Sequence, residues 1–563
     1  MNILFEAALQ ESNNTTQNMT TAERSRSIAP ELTDADILRV WNACRFVKMG
    51  WFSAQEAMVL VDLFFENMAP LSPVLTDFFA SHKNQYYLVT QEPMLCYTIL
   101  MISSRYHTLP GVGGYSRSFF IHHRLWQHCQ HLLLRITLGQ EKISKAKTRT
   151  IGSVEALLLM SEWHPRVLQF PPETDGWDSD FLMTNPDIRD PPNLNGEIPV
   201  SSRWREDVVE PTKRFERMSW MVLNSALALA HELGVFDSSA RLARQDDLVG
   251  LDAERYLEHL QSVDRDWLLF MTAWIELMKL TSSVTDTLFP LMNISSSTGS
   301  SDTFIPVLER KQFLLASWQQ RYLNISDSSF PYTDTLFIEY QHLRILTNSI
   351  GMQRIVQRVL QNQTQPPSRR DSIIDFSFIE RARQLNITAR EYGFIEEVID
   401  GCCQTLDKIT LLRGSFHFSP MRILFRTISA SIFLMKALAL GVRNSKLQEA
   451  LQILDRAIVT LQDGNQDDVH LKSRYAALLQ VQVSRLRESL VSLYGIGCDL
   501  PSPDSYENIP GMDLGGFSDA TMNDWLSLPL DPSMAPFGSA EGDFGVRLDG
   551  VDLDLDFLWQ LPP

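Results

Sequence analysis

Ser53-Ala54-Gln55-Glu56-Ala57-Met58-Val59-Leu60-Val61-Asp62-Leu63-Phe64-Phe65-Glu66-Asn67 is the stretch from which the fold is read. A serine followed three residues later by a glutamate is a capping box, in which each side chain satisfies a backbone N–H that the first helical turn leaves free. Apolar residues at helical spacing then run from Met58 to Asn67. Upstream, Thr33-Asp34-Ala35-Asp36 opens a similar pattern through Ile37, Val40, Trp41 and Cys44. Comparable periodicity predicts helices over Glu92 to His107, Ser116 to Leu138, Ser153 to Trp163 and Arg217 to Leu233, with Gly139 and Gly234 standing just past two of their ends. Further helices are expected over Ala253 to Leu288, Phe304 to Leu323, Leu336 to Leu360, Ser377 to Leu412, Met421 to Val442, Lys446 to Leu461 and Val469 to Leu493. No stretch alternates with period two for long, and no fixed-length repeat is found. The predicted fold class is all-α.

The breaks between these patterns give the expected organisation. Residues 1–32 are polar and unpatterned and are read as a disordered N-terminus. Residues 33–292 form the first part of a helical domain, interrupted over 167–213 by a loop with seven prolines, far longer than an ordinary connection. Residues 293–303 are a Ser/Gly linker, 304–495 the second helical part, and 496–563 an acidic tail. The apolar stretches are too short for a membrane span, and Met1-Asn2-Ile3-Leu4-Phe5-Glu6 has no basic start, so neither a signal peptide nor a membrane location is expected. The six cysteines, at 44, 96, 129, 402, 403 and 498, follow no disulfide-like spacing and are read as reduced core residues.

The tail carries most of the charge. From Asp499 onward thirteen acidic residues face one basic residue, Arg547, so this segment contributes −12 of the net −18. It ends Val551-Asp552-Leu553-Asp554-Leu555-Asp556-Phe557-Leu558-Trp559. Carboxylates alternating with bulky apolar groups are the compositional signature of amphipathic disordered activation segments. Asp552, Asp554 and Asp556 keep Leu553, Leu555, Phe557, Leu558 and Trp559 from collapsing on one another, leaving them free to dock in a partner's groove as a turn of helix.

Residues able to do chemistry are placed less suggestively. His122, His123, His128, Cys129 and His131 crowd one predicted helix, but only His128 and His131 approach the one-turn spacing of a helical chelate. Gly111-Val112-Gly113-Gly114-Tyr115-Ser116 resembles a phosphate loop, yet no lysine follows and no strand precedes it, so a turn between helices is expected. Cys402-Cys403 beside Asp400 has no histidine nearby to activate a thiol. Lys142, Lys145, Lys147 and Arg149 are too sparse for a nucleic-acid footprint and fit a solvated helix connection. No catalytic, metal or cofactor-binding residue is assigned in this chain, and no enzymatic activity is expected. The residues binding any small ligand stay unknown.

Ala57 to Phe79, with Leu63-Phe64-Phe65 and Met68-Ala69-Pro70-Leu71-Ser72-Pro73-Val74-Leu75, resembles the start of the middle homology region of fungal zinc-cluster transcription factors. Trp220 to Asp237, containing Ala226-Leu227-Ala228-Leu229-Ala230-His231-Glu232-Leu233-Gly234-Val235, is similar to an internal helix of that region. Gln91-Glu92-Pro93-Met94-Leu95-Cys96, Ile102-Ser103-Ser104-Arg105-Tyr106-His107 and Ser161-Glu162-Trp163-His164-Pro165-Arg166 resemble the activators of amino-acid and secondary nitrogen-source catabolism within the family. The resemblance implies an all-helical regulatory domain, nuclear localisation, transcriptional coactivators as partners and a possible small-molecule inducer. Two departures stand out. The family's six-cysteine zinc cluster is not in this chain, whose residues 1–43 hold no cysteine, and the arginine-rich helix is reduced to Arg255, Arg265 and Trp267. DNA would then be reached indirectly, through another DNA-binding transcription factor, or through a zinc cluster missing from this sequence. The expected function is a fungal transcription regulator, an activator of RNA polymerase II genes. A helical scaffold or adaptor, and less so an all-α enzyme, are the competing readings.

Overall fold

A computed structural model describes residues 34–110, 113–141, 148–168, 210–236, 265–294, 304–323, 333–361, 387–441, 444–463 and 471–494. Among them every regular element is an α-helix or a short 3-10 turn, so the chain is all-α. The capping box that opened the reading is present. Ser53 Oγ accepts from the Glu56 N–H at 3.2 Å and Glu56 Oε2 accepts from the Ser53 N–H at 2.7 Å, starting α3 (Ala54–Asn67) after α1 (Asp34–Ala43) and α2 (Arg45–Lys48). Glu56 also takes the Arg117 guanidinium of α6 (Gly114–Thr137), through Nη2 at 2.7 Å, so one residue both starts a helix and fixes its neighbour. Burial would raise its pKa, but Arg117 and the Ser53 groups outweigh that and hold it low.

Between α3 and α6 run three 3-10 turns, over Ala69–Leu71, Asp77–Ala80 and His82–Asn84, then α4 (Gln85–Gln91) and α5 (Pro93–Tyr106). Together with α7 (Ile151–Glu162) and α8 (Glu210–Glu232) they enclose one apolar core, in which Trp41, Leu60, Phe64, Ile99, Leu125, Leu157 and Trp163 are buried. Some of its polar atoms are paired within it, as where Trp41 Nε1 donates to Gln85 Oε1 at 3.0 Å. The two glycines expected as stops perform that role. Gly139 and Gly234 sit at φ +60° and +63°, where other residues are strained, and each precedes a residue whose N–H reaches back five residues, Gln140 to Arg135 O and Val235 to Ala230 O.

A second cluster joins α9 (Arg265–Ile294), α10 (Phe304–Tyr322) and α11 (Thr333–Gln361). A third joins α11 to α12 (Ala389–Leu411), α13 (Met421–Ala439), α14 (Asn444–Gln462) and α15 (Leu471–Tyr494). Helix α11 is occupied on several faces at once. Leu336, Leu343 and Ile350 point into the second cluster, while Ile338, Ile345 and Met352 point into the third. A helix apolar around much of its circumference is one that lies buried among others. Its crossing with α12 is close because two positions lack a side chain: a Cβ on Gly351 would meet Phe394 at 2.5 Å and one on Gly401 would meet Ile345 at 3.0 Å.

Three helix expectations need correction. The pattern Ser377 to Leu412 is not one helix, because Ile387 and Thr388 are non-helical and Thr388, extended, caps α12 in a box with Glu391. The pattern ending at Leu288 runs on to Ile294 through Pro290, whose missing N–H leaves one bond of the helical ladder unmade. The pattern Met421 to Val442 stops at Ala439, because Gly441 turns the chain at φ +103°. Residues 1–32, most of the 167–213 loop, the 293–303 linker apart from its first two residues, and 496–563 lie outside the described residues. No helix among the described residues is long and apolar enough to cross a membrane.

Candidate functional site: a buried charge junction

The segment Ser161-Glu162-Trp163-His164-Pro165-Arg166 lies where the first core meets the helices after it. Trp163, fully buried at the end of α7, donates its indole N–H to the Phe418 carbonyl at 2.9 Å, a bond across 255 residues of sequence. His164 is buried against the Phe215 ring, and its carbonyl accepts from Arg105. The Arg166 N–H donates to His122 Nε2 at 3.2 Å. Exchange Trp163→Phe removes one donor and part of the ring, leaving the Phe418 carbonyl short of a partner and a small void in the core. The expected loss is about 1–3 kcal/mol, read from denaturant unfolding. An unfolding midpoint equal to that of the parent chain would show that the bond contributes nothing.

Beside Trp163, Glu162 faces Arg422 of α13, with Oε1 at 3.5 Å from Nη2. Arg422 Nη1 donates to Glu339 Oε1 of α11 at 2.6 Å, and its guanidinium lies 4.9 Å from the Trp274 ring centre of α9. One turn further along α13, Arg426 donates from Nε to Glu339 Oε2 at 3.2 Å and from Nη1 to His342 Nε2 at 2.9 Å. Helices α7, α9, α11 and α13 therefore meet at one charged knot. The Glu339 side chain is only 3% exposed. Burial alone would raise its pKa, but Arg426, Arg422 and His342 overcome that and hold it at about 2. Burial and the neighbouring Arg426 cation push His342 down to about 3, so it is neutral and accepts from Arg426. Each charged residue of the knot has at least one partner in it, while Glu162 Oε2 and Arg422 Nε are buried without a hydrogen bond. Such an arrangement fixes the relative positions of helices.

The other groups singled out in sequence fall in several separate places. The histidines of α6 diverge: His122 is buried with Nδ1 on the Met101 carbonyl at 2.8 Å and Nε2 on the Arg166 N–H, whereas His131 is exposed. His128 packs edge-on against Phe46 and Tyr97 and is pushed down to about 4, chiefly by burial and then by nearby His131 and Arg45. Gly113 at φ +77° ends a turn and begins α6, as expected of that glycine cluster. Cys402 is buried, and burial together with Asp400, Asp407 and Glu449 pushes Cys403 up to about 12, the opposite of activation. Cys44, Cys96, Cys129, Cys402 and Cys403 are free thiols, all but Cys403 buried. Arg149 pairs with Glu141 and Glu232 and donates to the Ile136 carbonyl at 2.9 Å, bracing a helix connection, while Lys142, Lys145 and Lys147 lie outside the described residues. Also outside lie Arg255, Cys498 and the tail residues Asp552, Leu553, Asp554, Leu555, Asp556, Phe557, Leu558 and Trp559.

The knot itself was not anticipated. Its signal in sequence was present: Glu339, Arg422 and Arg426 interrupt otherwise apolar helical patterns, and a charge at a core position requires a partner. What no pattern supplies is which charge that partner is.

An all-helical body whose elements are joined through buried, paired charges defines a protein organised by helix packing. The chain is 42% identical, over an alignment of 601 residues, to Transcription factor hmgR of Aspergillus fumigatus, an alignment covering 94% of this chain and 78% of that protein. It belongs to the fungal transcription factors. No protein-family model matches the chain, and no solved structure matches it.

Proposed function

We propose that this chain is a nuclear activator of RNA polymerase II transcription, with a helical regulatory core and an activation segment in residues 496–563. The observation that carries the reading is the 42% identity to a transcription factor over nearly the whole chain. The thirteen acidic residues interleaved with Phe517, Trp525, Phe537, Phe544 and Trp559 support it, because a merely solubilising tail gains nothing from large aromatic groups. Coactivators are the partners such a segment fits. DNA is reached through another DNA-binding factor or through a zinc cluster that is not among these 563 residues. The blocks at 91–96, 102–107 and 161–166 support a role in amino-acid or nitrogen catabolism, with a small molecule as inducer. Chemistry on a substrate is no part of this reading.

The test is a fusion of residues 496–563 to an unrelated DNA-binding domain. Strong reporter activity is expected from the fusion and none from the DNA-binding domain alone. A silent fusion at normal abundance would refute the activation role and favour a scaffold without transcriptional output.

A further inference from the structure

A cleft of about 620 Å³ opens between α10, α11 and α12, on a different face of α11 from the charged knot. The apolar part of its lining is Leu315, Tyr340 and Phe394, all buried, beside the amides of Gln312, Gln319, Asn348 and Gln404. Its walls carry two ion pairs. Arg344 Nε meets Glu397 Oε2 at 2.7 Å, and Arg390 meets Glu309 across the opening. Two cations and two anions thus line an apolar floor with no net charge.

Gly393 of α12 also lines the cleft. Glycine inside a helix is unfavourable relative to alanine and is kept where something needs the space. At Gly351 and Gly401 that something is a packed neighbour, whereas a Cβ on Gly393 would meet nothing within 4 Å. The space that Gly393 leaves is the cleft itself.

We propose that this cleft binds a small zwitterion with an apolar body, one carrying both a carboxylate and an ammonium group as α-amino acids do. The charge balance selects the class. A ligand carboxylate can take Arg344 or Arg390 only by drawing it from its glutamate, and Glu397 and Glu309, with 44% and 47% of their side chains exposed, then lose the modest pairing that a half-exposed site supplies. A zwitterion inserts into the pair and offers its ammonium group to the displaced carboxylate, so every charge keeps a partner. A simple anion or cation strands one. The apolar floor then receives the ligand's body. Occupancy would clamp α10 and α12 to α11, the helix that also carries Glu339 and His342, which gives the site a physical route to the rest of the core. The inference concerns the folded core and stands apart from the activating role proposed for the tail.

The experiment uses the purified 563-residue chain with L-phenylalanine, 3-phenylpropionate and phenethylamine, which share one body and differ in charge, together with a panel of the other common amino acids. Melting temperature and calorimetric heat are the readouts. At least one zwitterion is expected to raise the melting temperature saturably, and its single-charge analogues to bind about threefold more weakly or worse. Gly393→Met, whose Cβ meets nothing within 4 Å and whose side chain would occupy the cleft, should melt at or somewhat above the parent chain and lose the ligand-dependent shift. Glu397→Gln should narrow the gap between the zwitterion and the simple anion. Binding by no zwitterion overturns the site, equal binding of 3-phenylpropionate overturns the charge argument, and undiminished binding by Gly393→Met overturns the location. Because these readouts involve no transcription, their failure leaves the tail's role standing, and a silent tail fusion leaves this site standing.

Discussion

Exchange of Glu339 for alanine is expected to destabilise the folded chain by about 3–5 kcal/mol, the usual consequence of removing one partner from a buried ion cluster. The cost comes from what remains. Arg422 and Arg426 both direct N–H groups at this carboxylate, at 2.6 and 3.2 Å, and without it two guanidinium groups stay close together with one distant carboxylate, Glu162, near only one of them. Since whole domains are stable by about 5–15 kcal/mol, the variant should melt many degrees below the parent chain. Glu339→Gln preserves shape and acceptor capacity on one side, and should lose less. If Glu339→Ala melts within a degree or two of the parent, the knot is not holding the helices together.

The same cluster sets a pH dependence whose sign can be worked out. His342 has a folded pKa of about 3, below the roughly 6.5 of a free imidazole, so below pH 6.5 the unfolded chain takes up a proton that the folded chain refuses. Stability should therefore fall as pH drops from about 6.5 towards 3. Glu339, at about 2 against roughly 4.3 when free, contributes stability above pH 4.3 that is lost as pH falls towards 2. Burial also lowers His107, His128, His164 and His417, which act in the same direction as His342. His342→Gln should accordingly flatten the loss between pH 6.5 and 4.5 without abolishing it. Stability of the parent chain that is level across that interval would contradict the burial of these neutral imidazoles.

Replacing Phe557, Leu558 and Trp559 together with alanine should abolish activation by a 496–563 fusion. Each side chain buried in a coactivator groove is worth roughly 1.5–3 kcal/mol, so losing all three removes more than such a short docking segment has to spare. Replacing Asp552, Asp554 and Asp556 with asparagine should lower activity less, because those charges keep the apolar groups apart and speed the encounter with a basic surface without forming the docked face. The order of the two effects is the discriminating measurement. A solubilising tail responds to the charges and ignores the aromatics, so full activity of the triple-alanine tail at equal abundance would remove this docking face.

Much of the helical architecture was legible locally. Ser53 and Glu56 start a helix because two side chains satisfy two backbone N–H groups within four residues, and Gly139 and Gly234 end helices because a left-handed turn is inexpensive only for glycine. The break at Thr388 carried the same signal, Thr388-x-x-Glu391, and was obscured by apolar periodicity running across it. Sequence alone also determined that 496–563 is acidic and aromatic by turns, which is a property of composition and needs no fold. Tertiary structure alone decided that Glu339 belongs to Arg422 and Arg426, 83 and 87 residues away, that Trp163 reaches Phe418, and that Gly393 faces open space while Gly351 and Gly401 face neighbours. Capping and periodicity act over one turn of helix, within reach of any short window. Which buried charge answers which, and where a cleft stays open, depend on how long helices pack, and a one-dimensional pattern holds no distances between them.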